Sequence, residues 1–424
     1  MRDYKLAAGL TEFPRALFEH ADTLEHLDLS DNQLCSLPED FGRFSRLKRL
    51  FLTNNQFRDV PAVLSQCQAL TMVSFKGNQL CEFAPASLPD GLEWLILTDN
   101  QLPALPEDMG RYRALKKCAL AGNQLTTLPQ SMQQCTQLGL LRLSLNQFAA
   151  FPDWLFQLPQ LAWLALGANP ATPVTLHSDI PQHPLSHYQL NDTLGVGASG
   201  VISKALHLPS GSECAVKMFK GWVTSDGCPK DEMANALNAG RHANLIPIDA
   251  QLTGGELPGL AMALIPPSFV SLGKPPSFAT ITRDTYRDDM LLSVPELWHL
   301  TSQVLAVMAH LHQQQVVHGD LYAHNMLVNP EFQLYLGDFG AATALDALPA
   351  SQQQQMKQLE VRAFGYWLLD MLSVLNPAQP TAALAGCAVL EQLAAQCLQP
   401  QVTSRPMFSQ LVTWLAAQRG CNSV

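Results

Sequence analysis

The sequence is poor in charge: only 15% of its residues are Asp, Glu, Lys or Arg, against 47% hydrophobic. That apolar share excludes wholesale disorder and supplies sizeable cores. Basic residues are the scarcer sign, 26 against 36 acidic, for a formal net charge of −10. An acidic chain repels phosphate backbones, which argues against nucleic-acid binding. No uninterrupted apolar run of about 18 residues occurs, so no transmembrane helix is predicted. The start, Met1 to Leu10, lacks a basic segment followed by an apolar run, and no secretory signal is predicted. The ten cysteines include no C-x-x-C pair, and the expected state is reduced thiols in a cytoplasmic protein. At 424 residues the chain is too long for one ordinary domain.

The first half is repetitive. Seven asparagines, Asn32, Asn55, Asn78, Asn100, Asn123, Asn146 and Asn169, recur at steps of 22 or 23 residues. Each closes the pattern L-x-x-L-x-L-x-x-N, as in Leu24, Leu27, Leu29, Asn32, then Leu34. Most repeats run on into an apolar residue and proline, as at Leu37-Pro38 and Leu128-Pro129. Cys67 and Cys135 hold one repeat position, three residues before a leucine, where a small buried hydrophobe is expected. This pattern resembles the leucine-rich-repeat family over roughly residues 20–175. The resemblance implies a solenoid, an α/β horseshoe, in which short strands point leucines inward and each Asn bonds the backbone at the turn. Residues 1–20 are expected to be an N-terminal cap and residues 21–175 the repeats.

Residues 176–187 are expected to form a linker, because the prolines of 170–187 suppress helix. His177, His183 and His187 lie there, at a spacing that fits no common metal-ligand pattern. From Tyr188 the texture changes. Strand-like segments come first, then a proline-rich stretch over 266–295, then helical patterns such as Leu297, Leu300, Val304, Leu305, Met308 and Leu311. A β-rich lobe followed by a helical lobe makes residues 188–424 an α+β domain, and the whole chain multidomain.

Five short motifs follow in this second half. Gly195, Val196, Gly197, Ala198, Ser199, Gly200 and Val201 form a glycine-rich run, where backbone can approach a phosphate. A dinucleotide site would need a helix after that run, whereas Val201 to Leu208 read as a strand. Lys217 follows in C-A-V-K-M, within an apolar segment. A buried Lys needs a carboxylate partner. Glu232 in D-E-M-A-N-A-L is the better candidate and Asp231 the alternative, since adjacent helical residues cannot both face one lysine. Then come H-G-D-L-Y-A-H-N over 318–325 and G-D-F-G over 337–340, separated by two apolar runs that read as a hairpin.

In this order the motifs resemble the protein kinases, over roughly residues 188–420. The resemblance implies a two-lobed kinase fold using ATP and Mg²⁺. In it Lys217 meets the nucleotide phosphates, Glu232 holds Lys217, and the glycine-rich run covers the phosphates. Asp320 serves as catalytic base, while Asn325 and Asp338 bind metal. Three departures stand out. Gly319 replaces the Arg of H-R-D, suggesting activity independent of loop phosphorylation. Tyr322 and His324 match neither the serine/threonine nor the tyrosine signature, which leaves the acceptor open. No A-P-E follows, and Glu360 to Gly365 resemble a helix start that the family places well beyond it.

On the repeat strands, residues between the inward leucines are expected to line the concave face. Phe51, Met72, Trp94, Ile96 and Trp163 are expected to cluster there, either for a protein partner or substrate or for packing within the chain. The leading reading is an ATP- and Mg²⁺-dependent protein kinase of serine/threonine type. A pseudokinase scaffold and a small-molecule phosphotransferase are the alternatives.

Overall fold

Short strands recur once per repeat because the apolar positions alternate only over three or so residues before Asn turns the chain. A computed structural model describes every residue except Ser178, Ala198, Trp222, Ser225, Gln379, Pro380 and residues 422–424. The chain divides into two compact units: Met1–Leu161 with Asn169–Ala171, and Ala162–Ala168 with Thr172–Val424.

The first unit is a parallel sheet of three-residue strands. They are β1 (Asp3–Lys5), β2 (His26–Asp28), β3 (Arg49–Phe51), β4 (Met72–Ser74), β5 (Trp94–Ile96), β6 (Lys117–Ala119) and β7 (Leu140–Arg142), each paired with the next. The expected N-terminal cap therefore contributes a strand of its own. In most repeats the chain then makes a short 3-10 helix, entered through proline at Pro38, Pro61 and Pro129. Fixed φ and a missing N–H suit proline to that entry. Leu27, Leu50, Leu95 and Leu141 are fully buried, as are Cys67 and Cys135.

Asparagine supplies the unit's internal hydrogen bonding. Asn123 Nδ2 donates to the carbonyls of Leu120 (3.0 Å) and, one repeat earlier, Leu97 (2.9 Å). Its Oδ1 accepts the Leu102 N–H at 3.1 Å. Asn55, Asn78, Asn100 and Asn146 repeat the arrangement. Otherwise-orphaned backbone groups are thus paired across neighbouring repeats.

The expected open cluster on the strand face is not found as such. Met72 is buried, flanked across the sheet by Arg49 and Trp94 on the adjoining strands. Phe51, Trp94 and Ile96 are half-buried. Trp163, on β8 (Trp163–Ala165), is buried and belongs to the second unit, where aromatic rings cover it.

The second unit begins, after β8, with β9 (Gln182–Pro184), an edge strand inside the expected linker that runs parallel to β13 (Ile248–Thr253). Pro184 fits an edge, where no donor is needed on its open side. Next come β10 (Tyr188–Val196), β11 (Gly200–His207) and β12 (Ser212–Phe219), then helix α1 (Pro229–Asn238), β13 (Ile248–Thr253) and β14 (Gly259–Met262). The sheet order is β10-β11-β12-β14-β13-β9.

A helical lobe follows β15 (Val270–Ser271): α2 (Val294–Gln313), β16 (Val316–Val317), β17 (Met326–Val328), β18 (Leu334–Leu336), β19 (Thr343–Ala344), α3 (Ala350–Ser373), α4 (Thr381–Cys397) and α5 (Phe408–Cys421). Ser293 and Glu296 close a capping box that starts α2, and the six apolar residues read at helical spacing are all buried on it. β17 and β18 form the expected antiparallel hairpin. No helix among the described residues is long and apolar enough to cross a membrane.

Candidate nucleotide and phosphoryl-transfer site

The glycine-rich run forms the turn from β10 to β11, with Gly195 and Val196 on β10, Gly200 and Val201 on β11, and Ser199 in the turn. Ala198 lies outside the described residues. Glycine has two different reasons here. A Cβ on Gly200 would meet the Met218 carbonyl at 2.3 Å, so close strand packing demands it. At Gly195 nothing lies within 4 Å, so the fold alone would accept a side chain, and the open space is what a phosphate would use.

Lys217 sits on β12 between Ile202 of β11 and Leu260 of β14. Its ammonium bonds Glu232 Oε1 of α1 and lies 4.8 Å from the centre of the Phe219 ring. Glu232 is nearly fully buried. Burial, opposed by Lys217 and reinforced by Asp338, holds its carboxyl above the usual range. Asp231, the alternative partner, instead accepts the Ala168 backbone N–H. The cleft beside Lys217 is walled by Ile202, Ile248, Leu260, Met262 and Leu336, an apolar slot opening onto Asp338.

Below the cleft, the loop after β16 carries Asp320, and Asn325 ends a 3-10 helix, Ala323–Asn325. Asn325 Nδ2 donates to both Asp320 O and Asp320 Oδ2 at 2.9 Å, leaving the amide oxygen for a ligand. His318 accepts the Asp320 N–H at Nδ1 (3.3 Å). Its proton therefore sits on Nε2, which donates to Gly337 O at 2.8 Å and ties this loop to the D-F-G segment. Asp338 has φ +59, an unusual left-handed conformation for a non-glycine residue.

Glu360 does not start a helix, as its resemblance suggested. It lies mid-way along α3, which begins at Ala350. Its buried carboxylate accepts the Gly319 N–H at 2.7 Å and bonds His312 Nε2 at 2.8 Å. Gly319 has φ +73, and a Cβ there would meet Ala341 O at 2.5 Å and Leu164 O at 3.1 Å. The glycine in place of arginine thus has a steric cause.

Sequence reasoning also missed Asp284. It accepts the His324 N–H (3.0 Å) and pairs with His324 Nδ1 (2.7 Å). Burial pulls the His324 imidazole down. The bond to Asp284 and the charges of Asp284, Asp320 and Asp338 outweigh this and hold it above its usual value. Asp284 lies in the proline-rich stretch, where no periodic pattern marks it.

Comparison with known proteins agrees with both halves. Residues 188–361 match the protein kinase domain family, and residues 8–57 match the leucine rich repeat family. "Mitogen-activated protein kinase kinase kinase 3" of Arabidopsis thaliana is 27% identical over 226 residues, 51% of this chain and 32% of the relative. "Mitogen-activated protein kinase spk1" of Schizosaccharomyces pombe is 27% identical over 237 residues, 53% of this chain and 57% of the relative. "LRR receptor-like serine/threonine-protein kinase RGI3" of Arabidopsis thaliana is 25% identical over 217 residues, 45% of this chain and 19% of the relative. The matched part spans between about a fifth and three-fifths of these relatives' own lengths. A kinase domain of this kind uses ATP and a divalent metal in general. The chain carries a leucine-rich-repeat region followed by a protein kinase domain.

Proposed function

We propose that this protein is an active ATP- and Mg²⁺-dependent kinase of serine/threonine type, acting in the cytoplasm. The observation that carries the reading is the Lys217–Glu232 ion pair in one cleft with Asp338, whose neighbour Gly337 bonds the backbone of Asn325, the partner of Asp320. The donors fit a hard cation, being the Asp338 carboxylate and the amide oxygen that Asn325 leaves open. Mg²⁺, when bound, neutralises phosphate charge. Lys217 binds phosphate oxygens, and Glu232 keeps its ammonium in place. Asp320 orients the acceptor hydroxyl and takes its proton, while Asn325 fixes the rotamer of Asp320. The nine cysteines whose side chains are described are all free, in keeping with a reducing compartment. The repeats are read as recruiting a protein partner or substrate through the strand face that carries Phe51, Trp94 and Ile96.

One observation favours a second reading, transfer to a small molecule. Only residues 341–349 separate Gly340 from α3, leaving little chain for a peptide platform. The purified full chain with labelled ATP, Mg²⁺, and peptide or metabolite acceptors distinguishes the two. Lys217→Met should lower turnover about 100-fold, on the order of 3 kcal/mol. Asp320→Asn should lose turnover by about two to four orders of magnitude while Mg·ATP affinity in calorimetry stays within about fivefold. Asp338→Asn should weaken that affinity itself. Turnover unchanged in all three variants sinks the kinase reading and favours a scaffold.

A further inference from the structure

The segment Ala162–Ala168 follows the repeat pattern in sequence, yet it packs inside the kinase unit. The Trp163 indole is held between two rings, 4.7 Å from Tyr322 at 5° and 5.5 Å from Tyr366 at 14°. Its Nε1–H donates to Leu321 O at 3.2 Å, one residue beyond Asp320. Leu164 O lies 3.1 Å from the place a Cβ would take on Gly319. Further along, Leu166 N donates to Thr343 Oγ1 at 3.0 Å, in the short segment after D-F-G. Ala168 N–H reaches the Asp231 carboxylate, next to Glu232 on α1. Seven residues thus touch the loop that bears Asp320, the segment that follows Asp338, and the helix that bears Glu232. The segment after D-F-G reaches the same parts, with Asn235 of α1 donating to Ala342 O at 3.1 Å and Thr343 pairing with Val317 of β16.

We propose that Trp163 is a positioning residue for phosphoryl transfer, clamping the Asp320 loop alongside the short segment that follows D-F-G. Tyr322 and Tyr366 are the jaws of the clamp, and α3 is its base. Tyr366 is itself fixed by Arg283, which donates to its carbonyl at 2.9 Å and lies 4.5 Å from the centre of its ring. The indole N–H fixes the Leu321 carbonyl, and with it the backbone direction that aims Asp320. Trp163 lies on the Asp320 side, away from the apolar nucleotide slot. Its loss should therefore act on the transfer step and spare nucleotide binding.

This inference rests on the kinase reading, and the experiment separates the two. Full-length wild type, Trp163→Ala, Trp163→Phe and Lys217→Met are compared for kcat and for KM of ATP, with Mg·ATP calorimetry counting folded sites. Trp163→Ala should lower kcat by about tenfold to a hundredfold, with KM for ATP within about twofold, since misplacing a reacting group is costly even at a distance. Trp163→Phe keeps a stacked ring but lacks the N–H to Leu321, so it should recover kcat only in part, to a level between Trp163→Ala and wild type. A Trp163→Ala enzyme with wild-type kcat overturns the clamp, and so does a raised kcat, which would make the strand a cover. Loss of folded sites in both variants in proportion to activity also overturns it, because the role is then stability alone. Wild type no faster than Lys217→Met overturns the kinase reading and the clamp together.

Discussion

At the scale of single residues, the pairing of His324 with Asp284 couples protonation to folding. The folded imidazole is held above its ordinary value of 6.5, chiefly because Asp284 outweighs the cost of burial. The folded state therefore binds the proton more tightly than the unfolded chain does. The stability this contributes is fully present below the unfolded value and is lost as pH rises through the higher folded value. His324→Gln removes it. Denaturant melts should show wild type most ahead of the variant below the ordinary value of 6.5, with the gap closing as pH rises past it. A gap that widens with pH would mean that His324 is held neutral. Gly319 belongs at this scale too. Its missing side chain reads in the sequence as a regulatory departure, and only the Ala341 and Leu164 carbonyls reveal a packing cause.

Among the elements, the asparagine ladder was the most legible. Its period is local, and the chemistry that needs it, a buried turn with open carbonyls, repeats at every step. The hairpin β17–β18, the helix α2 and the Lys217–Glu232 pair were legible for the same reason, each being set by a short motif or a helical spacing. For Trp163 the packing alternative holds, but the periodic pattern that runs straight through it did not name what it packs on. Its partner at Leu321 is 158 residues away, a separation no period can encode. Asp284 was missed in a proline-rich stretch whose contacts are likewise distant. The ladder itself makes a sharp prediction. Asn123→Ala leaves the buried Leu102 N–H without its partner and takes one of two amide donors from each of the Leu97 and Leu120 carbonyls, which keep Asn100 and Asn146. One orphaned buried group costs about 1–3 kcal/mol, so a loss of about 1–3 kcal/mol is expected. The exposed neighbour Gln124→Ala should change stability by about 0.5 kcal/mol or less. Equal effects in urea melts would show that the ladder is dispensable.

For the whole molecule, the question is where the kinase unit begins. Composition and the proline-rich connector put the break at residues 176–187, which would leave Trp163 with the repeats. Packing puts Ala162–Ala168 with the kinase unit. The two boundaries predict different behaviour for two fragments, 162–424 and 176–424. The shorter one lacks the indole stacked between Tyr322 and Tyr366, the Trp163 bond to Leu321 and the Leu166 bond to Thr343. Each aromatic pair contributes about 0.5–1.5 kcal/mol beyond its area, and each hydrogen bond about 0.5–1.5 kcal/mol. The two stacks and two bonds together exceed the 1 kcal/mol that moves the melting point of a domain of roughly 250 residues by about 2–4 °C. Fragment 176–424 should therefore melt several degrees below 162–424, and protease should cut it faster in the loop over 318–325, where Trp163 bonds Leu321. Equal melting points and equal cleavage would return the strand to the repeats. A lower melting point confined to the shorter fragment would instead mean that the last turn of the repeat array is structurally the first element of the kinase.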